Sequence, residues 1–127
     1  MPLPRQHTRS SPREGEVLTK ATIRSANKLG LPQSLVAAIL GLSPATVSRM
    51  AQGTYSLKRH DKAFELAVLL VRLYRSLDAI VGGDGEAARR WLRSPNTALN
   101  NQPINLIRNI QGLVDVIQYL DARRAIV

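Results

Sequence analysis

Residues 33–52, which read QSLVAAILGLSPATVSRMAQ, constrain the fold of this 127-residue chain more than any other segment. Gly41 permits the left-handed backbone that a tight turn between two helices needs. Ser43 is a good cap for a following helix, and Pro44 suits its first position because the N–H that proline lacks has no helical partner there. Gly53 marks the end of that second helix. The segment therefore predicts two short helices joined by a tight turn.

The apolar residues of this segment predict how its two helices pack. Val36, Ala37 and Leu40 fall on one face of the first helix, and Val47 and Met50 face them from the second. The small side chain of Ala37 allows the helices to cross closely. This pattern is typical of a helix-turn-helix, and the alternative is an ordinary helical hairpin in an all-α core.

The outward side chains of the second helix are small or hydrogen-bonding and include one arginine, as a helix in the DNA major groove requires. Lys58 and Arg59 follow in a basic cluster. Residues 17–62 contain seven Lys or Arg against one Asp, which places most of the net charge of +9 around the motif. Phosphate binding explains this concentration, and a merely solvated basic surface is the alternative. The predicted DNA-binding residues are Gln33, Ser43, Pro44, Ala45, Thr46, Ser48, Arg49, Gln52, Lys58 and Arg59.

The remaining periodicity predicts further helices and no strand, so the expected fold class is all-α. Residues 1–16 are poor in large apolar residues and predict a disordered basic arm, which either contacts the DNA backbone or is a plain tail. A first helix is expected over 17–29 and a long one over 61–81. The long helix is apolar on several faces, so it must be covered by both ends of the chain and by a dimer partner. Shorter helices are expected over 86–93 and from Pro103 and Asn109 onward.

Composition disfavours several functional classes. The chain has no Cys, only two His, and no Gly-rich phosphate loop in a strand–helix setting, so we expect no enzyme activity, no cofactor and no metal. Aromatic residues are too few for an RNA-stacking surface. The most apolar run, 64–81, contains four charged residues, so it does not indicate a membrane-spanning helix. We expect a cytoplasmic protein that associates with the nucleoid through DNA.

The second half carries a signature that resembles a known family. Trp91-Leu92, Pro95-Asn96 and Leu99 form the pattern WL-x-x-PN-x-x-L, which is similar to the C-terminal toxin-binding domain of the Xre/MbcA/ParS antitoxins. The pattern continues through a proline, a pair of large aliphatic residues and a glycine before the final helix, here Pro103, Leu106-Ile107 and Gly112. With the helix-turn-helix, the resemblance covers about residues 17–122.

The resemblance implies an N-terminal helix-turn-helix bundle, a long central helix and a small helical toxin-binding domain. The expected division is 1–16 as the arm, 17–82 as an Xre-like DNA-binding and dimerisation domain, and 83–127 as the toxin-binding domain. Such an antitoxin dimerises, binds a RES-domain toxin that depletes NAD, covers the toxin's active site, and represses its own operon at operator DNA. A stand-alone dimeric repressor without a toxin partner is the alternative.

Candidate toxin-binding residues come from the resemblance and from the surface charges. The resemblance points to Arg123 and Arg124, in the C-terminal region that blocks the toxin's active site. Asn96 either contacts the toxin or stops the preceding helix and fixes the following loop. The Arg face of the 86–93 helix either meets an acidic toxin surface or is only solvated. Trp91 is expected in the core rather than at a contact. The family's glycine and threonine are replaced here by Asn101 and Asn109, which also suit a left-handed turn and a helix cap. The family's usual basic-acidic-glycine ending is absent after Leu120. The assigned residues are Arg89, Arg90, Arg93, Asn96, Arg123 and Arg124.

Overall fold

The computed structural model describes residues 6–126, and side chains from 13 to 125. Seven helices make up this part of the chain, in which the only strand-like pairing is an isolated bridge between Asn96 and Asn101. The all-α prediction is confirmed. The helices are α1 (Gln6–Lys28), α2 (Gln33–Leu40), α3 (Pro44–Gln52), α4 (Lys62–Ile80), α5 (Gly85–Arg93), α6 (Pro103–Leu106) and α7 (Ile110–Ile126).

The helix-turn-helix forms as predicted, and α2 and α3 are bent by 110° at the turn between them. Gly41 ends α2 in the left-handed conformation with φ of 69°. Ser43 caps α3, and its Oγ accepts a hydrogen bond of 3.1 Å from the N–H of Thr46. Ala37 is buried where the helices cross. The angle lies in the range of DNA-binding helix-turn-helix motifs.

The prediction of a disordered arm over residues 1–16 is wrong for the part of the arm that belongs to the first helix. This helix begins at Gln6 rather than Val17, so residues 6–16 of the expected disordered arm are helical, while residues 1–5 lie outside the described residues. The reason is long-range contact, because Glu14 forms an ion pair with Arg59 and Gly15 lies against the backbone of Leu57. These partners supply the stabilisation that the arm's composition lacks.

One hydrophobic core joins both halves of the chain. Its fully buried side chains come from α2, α3, α4, α5 and α7 and from the residues directly after α1 and α6. They include Leu29, Val36, Val47, Leu70, Leu77, Leu92, Ile107, Leu113 and Leu120. The central helix α4 packs against α1, α2 and α7. It is therefore covered from both ends of the chain, as its apolar faces predicted.

Val68 is the exception on α4. Its side chain is 45% exposed, because it lines an open groove between α1 and α4 rather than the core.

Candidate DNA-binding and partner-binding surfaces

The candidate recognition surface is the outward side of α3. Val47 and Met50 anchor the helix in the core. Ser43, Pro44, Ala45, Arg49 and Gln52 are exposed, whereas Thr46 and Ser48 are half-buried, and Gln33 is exposed at the start of α2. These eight predicted DNA-binding residues thus all lie on α2, on α3 or at the cap of α3, with side chains that solvent reaches.

Hydrogen bonds between neighbouring turns order the polar side chains of α3. The hydroxyls of Ser43 and Thr46 lie 2.9 Å apart, and Arg49 Nη2 donates to Thr46 Oγ1 at 3.2 Å. Gln52 Nε2 lies 3.5 Å from Ser48 Oγ. The guanidinium of Arg49 is therefore held near the cap of α3, with its remaining N–H groups available for a base edge or a phosphate.

Lys58 and Arg59 differ in what surrounds them. Lys58 Nζ lies 4.7 Å from the centre of the Tyr55 ring, a cation–π contact at an exposed site. Arg59 forms the ion pair with Glu14, which offsets part of its charge. Lys58 is therefore the stronger of the two candidates for a phosphate contact.

Two of the six predicted toxin-binding residues hold the chain's own backbone. Arg93 donates from Nη2 to the carbonyl of Gly30 at 2.7 Å and from Nη1 to that of Leu29 at 3.4 Å. Arg89 Nη1 donates to the carbonyl of Lys28 at 3.0 Å. These carbonyls belong to the last residue of α1 and to the two residues after it. The end of a helix has unpaired acceptors and partial negative charge, which favour a cation there. We call the contact of Arg89 and Arg93 with residues 28–30 the arginine clamp.

Asn96 has a local structural role as well. Its Oδ1 accepts from the N–H of Leu99 at 3.0 Å, and its backbone pairs with that of Asn101. Arg90 forms an exposed pair with Glu86 one turn earlier, at 3.7 Å. Of these two predicted contact residues, Arg90 presents its charge to solvent, and Asn96 shapes the loop after α5.

Trp91, Tyr119 and Arg123 form an aromatic column across α5 and α7. The two rings stack with centroids 6.2 Å apart, and Arg123 lies over the Tyr119 ring with its Nη1 donating to the hydroxyl at 2.8 Å. Both aromatic residues are half-buried and Arg123 is exposed. Tyr119 was missed from the sequence, although its position four residues before Arg123 on one helix is the spacing that brings side chains together.

An ion cluster fixes α7 to α4. Asp121 accepts from Ser76 Oγ at 2.8 Å and from Arg72 Nη2 at 2.5 Å, and Arg124 Nη1 donates to Ser76 Oγ at 3.2 Å. The hydrogen bond from Ser76, helped by the positive charges of Arg72 and Arg124, lowers the pKa of Asp121 below its usual value. Arg124 is therefore partly engaged inside the chain.

Residues 6–126 contain no group of three or more potential metal ligands. No single helix in this range is long and apolar enough to cross a membrane; only α2 and α3 together reach the required length and hydropathy, with their 110° bend.

Two family models match the chain, one on each half. Residues 9–72 match the antitoxin Xre-like helix-turn-helix domain. Residues 76–125 match the antitoxin Xre/MbcA/ParS C-terminal toxin-binding domain. Among proteins with curated descriptions, none matches the chain significantly.

Proposed function

Because the chain belongs to the Xre-type antitoxins, we propose that it neutralises a RES-domain toxin that depletes NAD and represses its own operon as a homodimer. The observation that carries this proposal is the joining of a helix-turn-helix domain and a toxin-binding domain through one hydrophobic core. The toxin is then the enzyme of the pair, and this chain acts by binding.

For repression, α3 enters the major groove of the operator. The solvent-facing side chains between Ser43 and Arg49, which exclude the buried Val47, face the bases, and Lys58 binds a phosphate at the edge of the site. Two copies place two recognition helices about one turn of DNA apart, so the operator has two symmetry-related half-sites.

For neutralisation, the aromatic column and the end of α7 bind the toxin. Trp, Tyr and Arg are the residue types that dominate binding energy at protein interfaces, and the column brings one of each together on a half-buried surface. Arg123 and Arg124 then cover the toxin's active site. We leave Arg89 and Arg93 out of this surface, because the arginine clamp already uses their guanidinium groups.

The test is co-expression of the tagged chain with the proteins encoded beside it, followed by purification and mass spectrometry. We expect a RES-domain protein to co-purify and cellular NAD to stay at its normal level. Deletion of residues 122–127, which spares the buried Leu120 and the ion cluster's Asp121, should release the toxin and lower NAD.

Two substitutions then locate the contact. Arg123→Ala removes the end of the aromatic column and should reduce toxin capture, whereas Arg108→Ala, at an exposed arginine between α6 and α7, should not. Recovery of operator DNA without a protein partner would instead favour the stand-alone dimeric repressor.

A further inference from the structure

An apolar groove between α1 and α4 stays uncovered in the single chain. Val17 is 58% exposed and Val68 is 45% exposed, and they are two of the three large apolar side chains with this much exposure in the described part of the chain. Together with Leu18, Ala21 and Val71 they line a groove of about 620 Å³. Exposed apolar surface that is continuous, rather than scattered, is typical of an interaction site.

The charges along α4 change sign across this groove. The exposed positions Glu65, Val68, Arg72 and Arg75 follow one another at intervals of three or four residues, so they share one face of the helix. Glu65 precedes Val68 on α4. Both line a second hollow next to the groove, together with Glu14 of α1. Arg72 and Arg75 follow Val68 at the other end of the groove. On this face of α4 a carboxylate therefore lies before Val68 and two guanidinium groups lie after it.

We propose that a second copy of this chain covers the groove, with α4 packed antiparallel on the partner subunit's α4 around Val68. Glu65 lies about 4.5 Å before Val68 along the helix axis and Arg72 about 6 Å after it. A two-fold axis near Val68 therefore places Glu65 opposite Arg72 of the partner subunit, twice in each dimer. Parallel packing would instead put like charges together. The inference rests on the proposed function, because it locates the interface of the proposed repressor dimer.

Both charged side chains are available for such a pair. Glu65 is 70% exposed and contacts only the neighbouring Lys62, at 3.5 Å, among the described ion pairs. Arg72 binds Asp121 through Nη2, yet its side chain is 57% exposed. Since a guanidinium has five N–H donors, the contact with Asp121 leaves capacity for a second carboxylate.

The first experiment measures the oligomeric state of the full chain by sedimentation velocity. We expect the wild type to be a dimer and Val68→Asp to be a monomer, with both showing the same far-UV circular dichroism. Ile110→Asp is the matched control, because Ile110 is 52% exposed on α7, away from the groove. It should remain a dimer.

The second experiment exchanges the charges. Glu65→Arg and Arg72→Glu should each weaken dimerisation about tenfold, which two symmetry-related repulsive contacts can produce, and the double variant should recover most of the loss. Asp121→Asn controls for the lost contact within the chain, and it should not change the dimer.

Three results would overturn the proposal: a monomeric wild type, a dimer that survives Val68→Asp, or a double variant without recovery. If Val68→Asp abolishes toxin capture while the oligomeric state stays unchanged, the groove belongs to the other protein and the proposal is also wrong. A monomeric Val68→Asp that still captures the toxin supports the groove as the dimer interface. If no toxin co-purified with the wild-type chain, the proposed function would be wrong, but the test of the dimer interface would still stand.

Discussion

Arg49 is the side chain of α3 best suited to read a base, because its guanidinium can donate two parallel hydrogen bonds to guanine. It is exposed and held near the cap by Thr46. Arg49→Ala should weaken binding to the operator by about 1–3 kcal/mol and bring it closer to the affinity for random DNA. Fluorescence anisotropy with operator and scrambled duplexes measures both affinities.

Lys58→Ala provides the contrasting variant at the same surface. Removal of a phosphate contact should weaken binding to all sequences alike and reduce the slope of affinity against salt by about one unit. If Arg49→Ala weakened operator and scrambled DNA equally, Arg49 would be a phosphate contact rather than a base reader. Toxin capture should be unchanged in both variants.

Gly112 has no room for a side chain, because the backbone of Leu106 approaches it closely. The N–H of Gly112 binds Oδ1 of the cap residue Asn109 at 2.9 Å, and an added Cβ would lie 2.7 Å from the carbonyl carbon of Leu106. Backbone of a packed helix cannot yield as a flexible side chain does, so Gly112→Ala should destabilise the fold by at least about 1–3 kcal/mol. Urea unfolding measures this loss.

Gly85→Ala is the matched control for that substitution. Its added Cβ would meet one atom, Nη1 of Arg89, at 3.3 Å at the start of α5. That atom donates to Lys28 in the arginine clamp, but it ends a long side chain that can shift by a few tenths of an ångström, as backbone cannot. We expect Gly85→Ala to be neutral or slightly stabilising, because alanine restricts the unfolded chain. A similar loss in both variants would contradict the role of close approach at Gly112.

Residue-level predictions from the sequence succeeded where the partner is local. Ser43 and Asn109 were each predicted as helix caps, and each accepts a hydrogen bond from the N–H three residues later. The intramolecular acceptors of Arg89 and Arg93 were not predicted, because they lie more than sixty residues earlier in the chain. No spacing rule connects groups so far apart.

At the scale of elements, Asp121 holds α7 onto α4. Because its pKa is lowered in the folded chain, the carboxylate stabilises the fold above its unfolded pKa, and this stabilisation is lost as the pH falls through the lower, folded pKa. Asp121→Asn should therefore cost about 0.5–1 kcal/mol at neutral pH, the size expected for a partly exposed ion pair. The cost should become smaller as the pH falls below the unfolded pKa.

Urea unfolding at pH about 7 and about 3 tests this linkage. The control is Asp115→Asn on the same helix, since Asp115 accepts only from Gln111 one turn earlier among the described contacts. A loss at Asp121 that stayed constant with pH would mean that the lost hydrogen bonds, rather than the charge, are responsible.

The arginine clamp joins α5 to the end of α1, from which residues 30–32 lead into the helix-turn-helix. Arg93→Ala removes its donors to Leu29 and Gly30 and should destabilise the fold by about 1 kcal/mol. Arg93→Lys should recover only part, because lysine keeps the charge without the forked geometry. Arg90→Ala, which breaks an exposed pair within α5, should cost less than about 0.5 kcal/mol.

The apolar spacing of the sequence predicted where the helices lie. It did not predict helix limits or exposed faces that depend on tertiary contacts. Gln6 could not be found as the start of α1, because the ion pair of Glu14 and the close approach of Gly15 depend on a loop some forty residues later. The apolar faces of α4 predicted that the helix is covered on several sides, but periodicity does not tell that the face with Val68 stays exposed.

At the scale of the whole molecule, the two family-matched halves share their core. The central helix α4 packs on α1 and α2 at one side and on α7 at the other. The aromatic column, the ion cluster and the arginine clamp all connect the C-terminal helices to each other or to the N-terminal half. Neither half has a separate core with which to fold alone.

We therefore expect the chain to unfold in a single cooperative transition. Trp91 is the only tryptophan, and it reports on α5 and the C-terminal half through its fluorescence, whereas hydrogen exchange of the α2 and α3 amides reports on the DNA-binding half. Both signals should give the same free energy of unfolding, and Arg93→Ala should lower both equally, because the clamp belongs to one cooperative unit. If a variant lost protection from hydrogen exchange in α5 and α7 but kept it in α2 and α3, the two halves would unfold separately. Toxin binding would then be energetically independent of operator binding.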